Sequence, residues 1–204
     1  MGSASIAMTS SSRERLRDAA KTLFAEHGYE STSTAEICRL AGTSESQLVR
    51  HFVNKEGLLE AIFDHAWKQL IPGLRLAIDR APSPKKRLNR VVEMMLAFLS
   101  KDEELRALFL FEGHRIHGDG QTALLVPGFL EFVKILDEIL RDLAAAGELR
   151  SDVPPQAFRA GLIGAIEGLL RDQMLAGSSC LQADYSAGQV QAVSSAFISA
   201  FVSQ

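Results

Sequence analysis

Cysteine is nearly absent: Cys38 and Cys180 are the only two in 204 residues. That excludes a small scaffold stapled by disulfides. No proline precedes Pro72, so the first third of the chain carries no strong helix breaker. No apolar run reaches the ~18 residues that cross a bilayer, so no membrane partner is expected. Neither sign of charge dominates. There are 22 Lys and Arg against 25 Asp and Glu, a net charge of -3, which excludes capture of polyanions by bulk charge. The first ten residues have neither a basic stretch nor an apolar stretch, so they do not read as a signal peptide. With two lone cysteines, this points to a cytoplasmic protein.

What is present is 47% apolar and 23% charged, a composition that forms a packed core and excludes a disordered chain. The length suits one to two domains. Alternating strand patterns are missing, and apolar residues recur every three and four positions, which predicts helices. Ser11 and Glu14 form a capping-box pattern before Leu16, Ala19, Ala20, Leu23 and Phe24, with Gly28 as the stop. Ser33 and Glu36 repeat it before Ile37, Leu40 and Ala41, stopped by Gly42. Ser44 and Gln47 repeat it before Leu48, Val49 and Phe52, taken as the apolar side of the third helix. Asn54 caps a longer helix through Leu58, Leu59, Ile62, Phe63 and Ala66. The two helices between Ser33 and His51 are too short to stand alone. Joined by a glycine turn, they make a helix-turn-helix unit.

Beyond Pro72 the spacing predicts helices at about 87–100, 102–114, 125–146, 155–176 and 189–202, with the break Pro82-Ser-Pro84, a Ser100/Glu103 capping box and a loop at His117–Gly120. The expected architecture is all-α with about nine helices. The expected domains are residues 11–55, holding the helix-turn-helix, and residues 56–204, a helical bundle. Cys38 is expected as a small core residue and Cys180 as a loop thiol.

Arg15–Tyr29, Thr34–Ser44 and Leu48–Leu59 together resemble the three helices, and the start of a fourth, of the tetracycline-repressor (TetR/AcrR-like) family of bacterial regulators. Phe24, Gly28, Ile37, Ala41-Gly42, Leu48, Phe52, Lys55-Glu56 and Leu58-Leu59 carry the resemblance over about Arg13 to Ile62. Gly164–Gly168 looks like the penultimate, dimer-forming helix of that family. The resemblance implies a homodimer that binds a palindromic DNA operator and is released by a small ligand. The family usually has Tyr, touching a phosphate, where this chain has Val49, and an aromatic or His at Arg50. Cys38 and Thr43 stand for its usual Ala and Val.

Residues 1–55 hold seven Lys and Arg and six Asp and Glu, so placement rather than bulk charge must carry any DNA contact. An eight-residue helix spans ~12 Å and fits a major groove of about that width. Gln47 can pair with adenine, Arg50 with guanine or phosphate, and Glu45 with cytosine. Thr34, Ser44 and Lys55 suit phosphates at helix starts, and His51 completes the candidate set. Arg13, Arg15 and Arg17 suit either flanking phosphates or solvent.

Gly161, Gly164 and Gly168 make one side of a helix narrow, and Leu162, Ile166, Leu169, Phe197 and Phe201 add apolar area, a candidate dimer interface. Trp67, Phe98, Phe109, Glu112, His114, Phe129, Phe132, Glu167 and Arg171 are candidate ligand contacts, with Phe111 and Arg115 nearby, for a hydrophobic small molecule with one polar end. Glu112, His114 and His117 have some metal-like spacing, but glycines break that helix, and no metal or cofactor is expected. No nucleophile with a paired base and no phosphate loop is present, so an enzyme is not expected. Val49 and the near-neutral first quarter keep a second reading open: a helical protein-interaction module that retains the fold with weakened DNA binding.

Overall fold

The computed structural model describes residues 10–114, 125–176 and 183–203. The described residues form nine helices: α1 (Ser12–His27), α2 (Thr34–Leu40), α3 (Glu45–Phe52), α4 (Lys55–Asp79), α5 (Pro84–Leu99), α6 (Glu103–Phe111), α7 (Pro127–Ala145), α8 (Pro155–Leu175) and α9 (Ala187–Phe201). No sheet occurs among them, only one isolated bridge between Leu149 and Val202. They form two compact units, one ending at Phe63 and the other beginning at Asp64.

The first unit is built on capping. The Ser11/Glu14 and Ser33/Glu36 boxes are both closed reciprocally, giving α1 and α2 defined starts. The Ser33 amide and hydroxyl hold the Glu36 carboxyl below the usual carboxylate range. The expected Ser44/Gln47 box does not form. The Ser44 hydroxyl pairs with that of Ser46 at 2.8 Å, and α3 starts without a side-chain cap. Asn54 does cap α4, its Oδ1 accepting from the Gly57 amide at 2.9 Å. Leu16, Ala20, Phe24, Ile37, Leu48, Leu58, Leu59 and Phe63 make the core of this unit, each almost fully buried. Cys38 joins them, and burial pushes its thiol up, with a smaller contribution from Glu45.

Gly42 takes φ +60 in the turn between α2 and α3, a conformation free of cost only without a Cβ. Val53, just past α3, takes φ 67 and ψ -55. The Asn54 amide donates to the Phe52 carbonyl at 2.7 Å across it, which makes a γ-turn on a β-branched residue. That conformation stores about 1–3 kcal/mol of strain, against a glycine entropy cost of about 0.5–1 kcal/mol. Val53→Gly is therefore expected to raise unfolding stability by about 1 kcal/mol. Denaturant melts of the two proteins check this; a loss of stability would show the turn to be relaxed.

The second unit is a bundle of long helices. Pro72, the first strong helix breaker in the sequence, lies inside α4. The helix continues although proline removes one backbone bond of its ladder. Ile71 and Leu74 on either side are buried and hold the segment in place. The Ser100/Glu103 box is also absent. Ser100 ends α5, its hydroxyl donating to the Ala97 carbonyl, and Asp102 caps α6 instead. Aspartate is the stronger acceptor for the amides at a helix start, and Asp102 receives the Leu105 amide at 2.9 Å. Ser186/Gln189 forms a capping box for α9 that the sequence reading did not find. Of the earlier expectations, the first nine residues, Arg115, the His117–Gly120 loop and Cys180 lie outside the described residues.

Candidate DNA-reading helix and ligand cavity

In the first unit, α3 is held by Leu48 and Phe52, both buried. Its opposite side presents Ser44, Glu45, Ser46, Val49 and Arg50, all exposed, with Gln47 half-buried. Val49 is 57% exposed, so it belongs to this outer surface and not to the apolar side assigned from the sequence. The cause is geometric: 100° per residue places Val49 a quarter turn beyond Leu48, past the edge of the contact with α1 and α2. Arg50 makes no ion pair or hydrogen bond among the described residues. Thr34, half-buried, opens α2.

The other candidate cations are engaged within the unit. The Lys55 ammonium donates to the carbonyls of Tyr29 at 2.8 Å and Thr32 at 3.1 Å, and lies 4.3 Å from the centre of the Tyr29 ring. It was expected on a phosphate; here it closes the turn between α1 and α2. The reason is electrostatic: three carbonyls converge there, the third from Glu30 at 3.5 Å, and one compact cation can serve them all. Arg15 likewise donates to Ala41 at 2.9 Å and Ser10 at 2.8 Å. Arg17 pairs with Asp18, and Arg13 lies 5.3 Å over the Phe52 ring. His51 is 3.0 Å from the Ser12 hydroxyl, tying α3 to α1. Arg39, an exposed cation on α2 without an ion pair or hydrogen bond among the described residues, was not in the sequence-derived set. It lies in no cap or periodic apolar pattern that would have marked it.

In the second unit, α4, α5, α6, α7 and α8 enclose a narrow cavity of about 70 Å³. Trp67, Phe109, Phe129, Phe132 and Glu167, five of the nine candidate ligand contacts, line it. Trp67 is the centre of the aromatic set, with ring centroids 4.9 Å from Phe132, 5.5 Å from Phe109 and 5.7 Å from Phe129. Among the described residues Glu167 is the one charged residue in the wall. Its carboxylate lies 3.3 Å from His114 Nε2, with both side chains reaching solvent. The other candidates are not in the wall. Phe98 is half-buried elsewhere on α5, Glu112 ends α6, and Arg171 donates to the Leu110 carbonyl at 3.3 Å. The sequence reading missed the aliphatic lining, including Val91, Met95, Leu99 and Leu110, because these residues look like any core.

Gly128 shows how tightly α7 lies on α4: a Cβ added there would fall 2.2 Å from the Trp67 Cβ. Gly128→Ala is expected to lower stability by about 1–3 kcal/mol through overpacking. Because Trp67 is the single tryptophan, its fluorescence should shift in the folded variant. An unchanged melt and spectrum would show that the contact is loose.

The candidate dimer residues divide. Leu162 and Ile166 are buried and face the cavity, a correction to their expected place on an outer interface. On α8 they share an i, i+4 row with Phe158 and Leu170, about opposite Gly164 and Gly168. Leu169 is half-buried, and Tyr185 Oη donates to its carbonyl at 2.7 Å. Phe197 and Phe201 pack on Phe158 within the chain, at 5.7 and 5.8 Å. A Cβ on Gly161 would sit 3.3 Å from Phe197 Cζ, so that glycine serves the α8–α9 contact. Gly164 and Gly168 have nothing among the described residues within 4 Å of an added Cβ.

Among the described residues no helix is long and apolar enough to cross a membrane. The model of the family described as bacterial regulatory proteins, tetR family, matches residues 16–62. The HTH-type transcriptional regulator UidR of Escherichia coli (strain K12) is 26% identical over 166 residues, 78% of this chain and 80% of UidR. Salmonella enterica GusR is similar in structure with a TM-score of 0.66 and 26% identity, over 92% of this chain and 95% of that one. The fold is also shared by the transcriptional regulator FadR of Bacillus subtilis, solved in complex with stearoyl-CoA, at a TM-score of 0.77 and 22% identity over 93% and 97% of the two chains. The helix-turn-helix of the first unit and the all-α architecture agree with these matches, and residues 16–62 carry the signature of the tetR family of bacterial regulatory proteins.

Proposed function

We propose that this chain is a cytoplasmic repressor that binds a palindromic operator as a homodimer and is released by a small, largely hydrophobic molecule. In this reading residues 11–55 read DNA, and residues 56–204 bind the ligand and dimerise. Arg50, Gln47, Glu45 and Ser44 read or position DNA from α3, with Thr34 on a flanking phosphate. Val49 adds an apolar group suited to a thymine methyl. Lys55 and His51 act by holding the unit together. The observation that carries the reading is the surface of α3: a short helix anchored by two buried side chains, with an unpaired arginine and a row of exposed polar groups on its free side.

One short helix reads only a few base pairs, and a two-fold dimer places two such helices about one turn of DNA apart. Gly164 and Gly168 support that dimer. Each glycine costs a helix interior about 1 kcal/mol relative to alanine, and no described residue uses the space these two leave. Gly164→Arg is expected to yield a monomer with undiminished helicity, read by sedimentation and circular dichroism. A variant that stays dimeric would remove this face from the interface.

The cavity supports the ligand. Its ~70 Å³ is about half the ~150 Å³ that admits benzene in an engineered cavity. A ligand must therefore push the wall apart, which gives binding a mechanical consequence. Capture of genomic fragments at increasing salt tests the function. Sequence-specific retention that weakens steeply with salt is expected. Equal retention of all fragments would favour the interaction-module reading, to which the inward turn of Lys55 lends some support.

A further inference from the structure

Two residues of the cavity wall, Trp67 and Glu167, differ from ordinary core. Trp67 is 2% exposed, and its indole Nε1 has no hydrogen-bond partner among the described residues. Leaving a buried donor unsatisfied is costly, so a group in this state calls for a partner. Two other buried nitrogens share this state, Nε of Arg87 and of Arg106, but both belong to guanidiniums that bond acids through their other nitrogens. Trp67 has no second donor. Its side chain lines the cavity among the three phenylalanine rings.

The second feature is Glu167. Among the described residues an otherwise apolar wall holds one charged side chain, and that charge is negative. Its link to His114 is long, 3.3 Å, and the two side chains are 25% and 57% exposed, so this partner is easily exchanged. Arg171, one turn further along α8, does not line the cavity and spends a donor on the Leu110 carbonyl. A carboxylate or phosphate ligand seated against this wall would meet Glu167 with like charge in a poorly solvated place.

We infer that the effector is a lipophilic amine, with its apolar body among Trp67, Phe109, Phe129 and Phe132 and its ammonium on Glu167 in place of His114. This rests on the ligand-released reading above and names the chemistry of the same site.

The test uses the full chain and a matched pair of probes, octylamine and octanoate, read by Trp67 fluorescence without DNA. Octylamine is expected to bind at least about tenfold tighter than octanoate, as a charge-assisted bond at a partly buried site implies. Glu167→Gln should remove that preference while circular dichroism stays unchanged. His114→Ala should keep or strengthen amine binding, because it frees Glu167. Octanoate binding as tightly as octylamine, no octylamine binding, or a preference surviving in Glu167→Gln would overturn the inference. A second arm adds specific DNA fragments. Release by octanoate or an acyl-CoA, but not by octylamine, would keep the regulator and refute the amine. Amine binding that leaves the DNA bound would keep the amine site and refute the ligand-released reading.

Discussion

Arg50→Ala is expected to lower the affinity for specific DNA by about 1–3 kcal/mol, roughly ten- to a hundredfold, without changing the melting temperature. The side chain is exposed and makes no ion pair or hydrogen bond among the described residues, so its removal costs the folded chain nothing identifiable. It is also the cation that α3 presents outward. The first 55 residues carry a balance of only +1, so little bulk attraction would remain to compensate. The form of the loss assigns the contact. If Arg50 holds a phosphate, binding weakens on all sequences and the salt slope falls by about one. If it reads guanine, discrimination at one position of each half-site relaxes. Fluorescence anisotropy on a specific and a scrambled duplex, at three salt concentrations, distinguishes the two. Unchanged affinity would remove Arg50 from the interface.

Lys55→Ala is expected to behave differently, losing stability and DNA binding together. Its ammonium serves the carbonyls of Tyr29 and Thr32 and stacks on the Tyr29 ring. Hydrogen bonds to a charged donor contribute about 1.5–3 kcal/mol and a cation over an aromatic face about 0.5–1 kcal/mol. Discounted for the half exposure of the side chain, a loss of about 2 kcal/mol is expected, seen as a lower denaturant midpoint. Lys55→Arg should rescue only in part, because a planar fork cannot converge on the same carbonyls. A variant that melts like the parent but has lost one unit of salt slope would return Lys55 to a phosphate.

The contrast between these residues shows where sequence reasoning stops. The caps at Ser11, Ser33 and Asn54 were legible because a cap is local chemistry: an acceptor, a spacing of three and an apolar run. Ser44 has the same pattern and fails, since its hydroxyl has Ser46 as a nearer partner. Asp102 was overlooked beside Ser100 although it is the better acceptor. The nine helices followed from periodicity, and buried neighbours hold α4 through Pro72. The direction of a long side chain is not local. Lys55 and Arg15 bond carbonyls 26 residues away in sequence, and no spacing predicts that. The aromatic half of the cavity was visible, because four rings and one acid in a helical region are unusual. Its aliphatic half was not, since leucine and valine line cavities and cores alike. Leu162 and Ile166 were assigned to the wrong face of α8 because apolar residues adjacent to glycines suit either a core or an interface.

The central claim is that two copies of α3, set by a two-fold dimer, read a symmetric DNA site. Selection of bound duplexes from a random pool by the full chain tests it directly. The account predicts enrichment of a palindrome whose half-site centres lie about one helical turn or a multiple apart, with enrichment lost in Arg50→Ala and in Gly164→Arg. A pool that stays random after repeated rounds, or that yields a single asymmetric half-site unaffected by either substitution, would contradict it.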